Sequence, residues 1–254
     1  GKIDVSGEGP FDSGQSLSFS DGLTLIAGGN GTGKTTIANA LRRKFECSDN
    51  SSDIRDIPDW LIFLDDYVDT PCGGEPWKQL ALLISSHQSL IAPKSFEYDL
   101  TSNIREILRV KIESGFNKFS TRVTSVEQLR VTIAKDGAAF VTANGVDITH
   151  SFHANNERLV LYLSINASVR KMLRLDVPFV VDSQLDRLDQ SLLHSCYKFI
   201  SEISKQTIIL ESNYVIEKLG EKPQHLIKYD PHTRLSTIEA CPLMSHSGNN
   251  ETVD

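Results

Sequence analysis

Leu23-Thr24-Leu25-Ile26-Ala27-Gly28-Gly29-Asn30-Gly31-Thr32-Gly33-Lys34-Thr35-Thr36 is the stretch on which the fold turns. A short apolar run leads into a glycine-rich loop matching Gly-x-x-x-x-Gly-Lys-Thr in full. The spacing of Ile37, Ala38, Leu41 and Phe45 predicts a helix over residues 34–45. Strand in and helix out is the context this motif requires. Glycines let backbone N–H groups close around a phosphate with no Cβ in the way, and the helix start adds partial positive charge. Gly28, Asn30, Gly31, Thr32, Gly33, Lys34, Thr35 and Thr36 are therefore the candidate nucleotide-binding residues. Lys34 is placed to bridge the β- and γ-phosphates, and the Thr35 hydroxyl to meet Mg²⁺. ATP and Mg²⁺ are the expected ligands.

Working outward, residues 2–5, 15–19 and 23–27 read as short strands punctuated by Gly7, Gly9-Pro10 and Asp21-Gly22. The apolar run at 60–64 reads as a buried strand. Residues 78–91 and 98–119 have helical spacing, with a turn near Pro93. Residues 128–134 and 138–143 read as a hairpin around Asp136-Gly137. Helices are expected over 157–173 and 190–204, strands over 178–182 and 207–210, and a closing hairpin over 225–229 and 234–239. Residues 244–254 read as a polar, disordered tail. Alternating strands and helices predict an α/β fold with a mostly parallel core sheet, an antiparallel β lobe and a helical lobe at about 78–126. Residues 1–243 then form one domain.

Val177-Pro178-Phe179-Val180-Val181-Asp182 is a buried strand with an acid at its tip. Beside a complete phosphate loop, that acid is the second candidate for the Mg²⁺ shell, with Thr35.

The phosphate loop, together with Pro178-Phe179-Val180-Val181-Asp182-Ser183-x-Leu185-x-x-Leu188-Asp189, resembles the head domain of SMC-like ABC ATPases. The run 148–216 looks closest to the DndD-type ATPase of bacterial DNA phosphorothioation systems. The resemblance implies a P-loop NTPase head that dimerises with itself around ATP. It would serve a DNA-processing, DNA-modification or phage-defence complex, with other subunits as partners and DNA as a further candidate. It makes Asp182 the Mg²⁺-shell acid, Asp189 an acid touching the partner subunit, and Asn155-Asn156-Glu157 the segment that reads the other subunit's γ-phosphate.

Three departures from that family pattern matter. The signature Leu-Ser-x-Gly-Glu is represented by His153-Ala154-Asn155-Asn156-Glu157, which reads equally as a weakened signature or a plain asparagine helix cap. Ser183 stands where many relatives carry a catalytic glutamate, and serine is no base near neutral pH. Glu211, at the end of the next strand, is the candidate catalytic base beside Lys34 and Asp182. Asp186 is the alternative, and either acid can instead be a capping or solvated group. No histidine follows that strand, which counts against a transporter subunit. Slow hydrolysis is expected, and the alternative reading is a non-hydrolysing, nucleotide-gated interaction module. Only 148 residues separate Lys34 from Asp182, too few for a long coiled coil.

The bulk composition narrows the partners. A net charge of −7 argues against a dedicated nucleic-acid scaffold. Arg42-Arg43-Lys44, Arg105, Arg109 and Lys111, and Arg170, Lys171 and Arg174 read either as helix-end charges or as a DNA-facing surface. Four widely spaced cysteines, Cys47, Cys72, Cys196 and Cys241, lack metal-site spacing and suit a reducing cytosol. No apolar run has membrane-span length, so a cytoplasmic protein with no membrane partner is expected.

Overall fold

The structure is a computed structural model describing residues 1–19, 21–47, 57, 59–64, 110, 113, 114, 117, 129–133, 139–147, 159, 162, 163, 166, 167, 169–171 and 174–241. Among the described residues, the main sheet has six strands in the order β11-β10-β3-β9-β8-β4. These are β3 (Gly22–Gly28), β4 (Phe63–Leu64), β8 (Phe179–Asp182), β9 (Gln206–Glu211), β10 (His225–Asp230) and β11 (Leu235–Ala240). The pairs β10·β3, β3·β9, β9·β8 and β8·β4 are parallel, and β10·β11 is antiparallel. The continuous apolar runs in β3, β8 and β9 follow from this placement, because inner parallel strands are covered on both faces. Leu25, Ile26, Phe179, Val180, Val181, Ile208, Ile209 and Leu210 are all buried, at about 1.5–3 kcal/mol for each fully buried side chain.

Helix α1 (Lys34–Cys47) runs from the loop after β3 and packs against β8 and β9. Its stripe of Ile37, Ala38, Ala40 and Leu41 is buried. Helices α3 (Gln190–Ser201) and α4 (Asn213–Leu219) are both capped at their start. Asp189 accepts from the Leu192 N–H in one, and Ser212 from the Val215 N–H in the other. Gly220, at φ 71°, ends α4 in the left-handed conformation a non-glycine residue resists.

There are two smaller sheets among the described residues. Strands β1 (Lys2–Asp4) and β2 (Ser16–Ser18) pair antiparallel. Strands β5 (Leu129–Ile133), β6 (Ala139–Ala143) and β7 (Val146–Asp147) form an antiparallel meander. The expected hairpin is present as β5·β6. Strand β7 was not foreseen, although Asn144-Gly145, at φ 51° and 80°, is the dipeptide that favours a tight hairpin turn.

The run at 60–64 is corrected. Residues Asp59–Ile62 form a helical turn, α2, and only Phe63–Leu64 are strand. Five apolar residues carry no period that separates the two, and Asp59 at the turn's start suits a helix N-terminus. Helix α4 was also unforeseen, and α3 stops at Ser201 rather than 204. The expected helical lobe falls largely outside the described residues; of those described within it, Val110, Glu113, Ser114 and Asn117 are helical. The tail at 244–254 lies outside them.

Arg170 is also corrected: it is no surface charge but a buried hub. It donates to the carbonyls of Leu61, Val177 and Pro178 and to Asn166 Oδ1. Asn166 in turn donates to the Tyr162 hydroxyl, which donates to the Phe63 carbonyl. This chain pins the helical residues Tyr162, Asn166 and Arg170 to α2, β4 and the entry to β8. Burial lowers the Arg170 pKa to about 10, leaving it charged at neutral pH.

Candidate functional site

The C-terminal ends of β3, β8 and β9 lie side by side, the position where open α/β sheets take ligands. From β3 comes the glycine loop. Gly31 and Gly33 have φ of 76° and 104°, the left-handed backbone that a tight phosphate-binding loop uses. A Cβ on Gly33 would lie 2.7 Å from Phe11 Cε2 and 2.8 Å from Pro10 Cγ. The segment Pro10-Phe11 therefore braces the loop from behind. It is itself anchored by the Ser236 N–H, which donates to the Pro10 carbonyl at 2.7 Å. Sequence reading treated Gly9-Pro10 as punctuation and missed this role.

A cavity of about 350 Å³ opens over the loop, lined by Pro10, Asn30, Gly31, Gly33, Lys34, Thr35, Thr36 and Ser183. That volume falls in the range of small-molecule sites. Lys34 is buried and curls back, its Nζ donating to the Gly28 and Gly29 carbonyls at 2.9 Å each. Burial lowers its pKa, opposed by the carboxylates of Asp182, Glu211 and Asp186. A phosphate would offer this ammonium a full counter-charge in place of two carbonyl dipoles.

Asp182 stands at the tip of β8. Thr35 Oγ1 donates to its Oδ2 at 2.8 Å, and Ser183 Oγ to its Oδ1 at 3.1 Å. The structure thus brings together two residues 147 positions apart. A hydroxyl and a carboxylate converging at the mouth of a phosphate loop are hard oxygen donors of the kind Mg²⁺ takes, alongside waters and phosphate oxygens. The pair fits that ion. Ser183 has φ 53°, an uncommon conformation for a residue with a side chain, and it puts the serine into the cavity wall.

Glu211 lies deeper. It is fully buried at the end of β9. Its Oε1 accepts the Leu185 N–H at 2.7 Å and its Oε2 the Ser212 N–H at 3.2 Å. Burial raises its pKa to about 7, opposed by those two N–H donors. Asp186 adds to the rise and Lys34 reduces it. Asp189 is the cap of α3, its Oδ1 accepting from Leu192 at 2.9 Å. Neither Glu211 nor Asp186 lines the cavity as folded. Asn155, Asn156 and Glu157 lie outside the described residues. Of the basic cluster on α1, Arg42 pairs with Asp59 and stacks over Phe63, and Arg43 pairs with Glu8.

The fold is the α/β P-loop fold in the form seen in SMC heads. Sequence comparison matches a family described as AAA domain over residues 2–51. No curated protein matches the chain. Among solved structures, the chain is similar to an Smc head bound to the C-terminal winged-helix domain of ScpA. The TM-score is 0.67 at 14% identity, covering 94% of this chain and 96% of that one. It is also similar to the Smc head with an extended coiled coil from Pyrococcus furiosus, bound to the C-terminal domain of ScpA. There the TM-score is 0.59 at 14% identity, covering 94% and 95%. Among the described residues, no helix is long and apolar enough to cross a membrane.

Proposed function

We propose that this chain binds ATP with Mg²⁺ and works as an SMC-like ATPase head. The observation that carries the reading is the Thr35–Asp182 hydrogen bond at the mouth of a complete phosphate loop, with buried Lys34 beside it. In this reading the loop N–H groups and Lys34 hold the β- and γ-phosphates, while Thr35 and Asp182 hold the metal, which would neutralise phosphate charge. The N–H groups of residues 30–35 orient the phosphates, and Ser183 closes the wall beside them.

The head is further proposed to form a nucleotide-sandwich homodimer, with Asn155, Asn156, Glu157 and Asp189 on the shared face. It would serve a DNA-processing, DNA-modification or defence complex, as the likeness to DndD-type ATPases suggests. The similar Smc heads are bound to ScpA domains, which supports a partner subunit here as well. A cytoplasmic setting suits all of this.

A specific observation favours a second reading. Ser183 occupies the cavity wall directly after Asp182, and neither Glu211 nor Asp186 lines the cavity. This suits a head in which ATP gates assembly and is hydrolysed slowly or not at all. The test is equilibrium binding of MgATP with oligomeric state measured in parallel, wild type against Lys34→Ala. The expected loss of affinity is at least about tenfold, from removing a charge-assisted contact, with ATP-dependent dimers lost too. Binding that does not depend on Lys34 refutes the assignment. Lys34-dependent dimers without turnover select the second reading.

A further inference from the structure

We propose that Glu211 is a positioning residue, whose buried carboxylate ties the middle of the loop at 183–189 to the start of α4 and so holds Ser183 in the wall of the phosphate cavity. The inference rests on the ATP-binding reading for its consequence, but not for its geometry.

The loop leaves β8 at Ser183 and enters α3 at Asp189. Its start is pinned by the Ser183 N–H, which donates to the Leu210 carbonyl at 2.9 Å. Its end is pinned by the Asp189 cap. Between them, the Leu188 N–H bonds only locally, to the Leu185 carbonyl at 3.2 Å. Among the described residues, mid-loop is tied to the neighbouring strand by the Leu185 N–H, which donates to Glu211 Oε1. Leu185 is fully buried, so without the carboxylate this N–H is left buried and unpaired, which favours local opening. The other oxygen takes the Ser212 N–H, at the residue that caps α4. One carboxylate thus joins the loop that begins at Ser183, in the cavity wall, to the start of α4.

Residue chemistry explains why a glutamate stands here. Two inward N–H donors need two acceptor oxygens, which a carboxylate supplies and an amide supplies only singly. A general base must instead reach the attacking water, directly or through one water. Glu211 is fully buried and does not line the cavity. The loop it holds carries Ser183 in its left-handed conformation and also Asp186, one of the acids acting on Lys34.

The test uses Glu211→Gln and Glu211→Ala in the full chain, with two readouts. The first is amide exchange at Leu185 without nucleotide. Protection should fall about tenfold or more in Glu211→Ala and persist in Glu211→Gln, which keeps one acceptor. The second is steady-state ATP turnover. Glu211→Gln should stay within about fivefold of wild type, while Glu211→Ala loses more than that in kcat with KM little changed. Unchanged Leu185 protection in Glu211→Ala overturns the proposal. So does a Glu211→Gln variant as inactive as Glu211→Ala with Leu185 still protected, which would make Glu211 the base. If Glu211→Ala does not fold, Glu211→Gln against wild type still decides between the two roles. If the wild type shows no Lys34-dependent binding, the ATP reading has failed, and the exchange readout still judges the tie.

Discussion

Replacing Arg170 with methionine should cost about 4 kcal/mol of folding stability, and the structure shows where the loss arises. The guanidinium is buried and satisfies three backbone carbonyls, those of Leu61, Val177 and Pro178, as well as Asn166 Oδ1. Methionine fills the space of the stem and supplies no donor. Each carbonyl left buried without a partner costs about 1–3 kcal/mol, partly relieved by relaxation. The lost contact of the guanidinium with the Phe179 ring, 5.2 Å away, adds about 0.5–1 kcal/mol. Urea unfolding followed by circular dichroism measures the change, read from the midpoint at constant slope. Domains hold about 5–15 kcal/mol in total, so a loss of this size is plain. Amide exchange should rise first in Phe63, Leu64 and Val180, the β4·β8 seam the arginine ties. A loss below about 1 kcal/mol would refute the reasoning, because the carbonyls would then have found other partners.

Glu211→Gln should flatten part of the pH dependence of stability. With the folded pKa raised from 4.5 to about 7, the folded state holds the proton more tightly than the unfolded chain. That contribution is complete below pH 4.5 and lost as pH rises to 7, worth about 3 kcal/mol. The variant should therefore gain on wild type by roughly that amount between pH 4.5 and 8 in urea titrations, and equal slopes in both proteins would contradict the shift. Gly33→Ala should cost about 2 kcal/mol and abolish nucleotide binding, because the new Cβ meets Phe11 and Pro10 within 2.8 Å at a φ of 104°. Thermal unfolding and MgATP titration check both halves.

The sheet and the phosphate loop were readable because each depends on local pattern. The apolar runs of β3, β8 and β9 bury both faces, and Gly33-Lys34-Thr35 can be placed without distant contacts. The same holds for the closing hairpin. What escaped the reading depends on tertiary context. Asp59–Ile62 is too short for period to separate helix from strand. Helix α4 has only seven residues, although Ser212 and Gly220 marked both of its ends. Arg170 sits among helix-end charges in sequence, and only the convergence of α2 and β8 shows that its donors point inward. Glu211 was legible as an acid at a strand tip, but its burial and two N–H partners were not. They depend on how the loop at 183–189 folds back. Asp189 carries a local role as well, its Oδ1 accepting the Leu192 N–H at the start of α3, which its place after Leu188 did not announce.

The closing hairpin has a consequence for the order in which the protein is made. Strand β3, which carries the phosphate loop, is flanked on one edge by β10, with Ile26 opposite His225 and Gly28 opposite Ile227. Gln224 reinforces that edge, its side chain accepting the Leu25 N–H and its own N–H donating to the Leu25 carbonyl. Its other neighbour, β9, also lies far downstream, with Ile208 opposite Thr24. A growing chain therefore releases β3 with neither partner yet synthesised. At about 5–20 residues per second, it waits roughly 10 to 40 s for both. During that time an apolar strand with two open edges is available to any other unpaired strand. The strand that leads into the phosphate loop is thus made well before either neighbour, and chain release by a stop between residues 211 and 225 would leave it permanently half-paired.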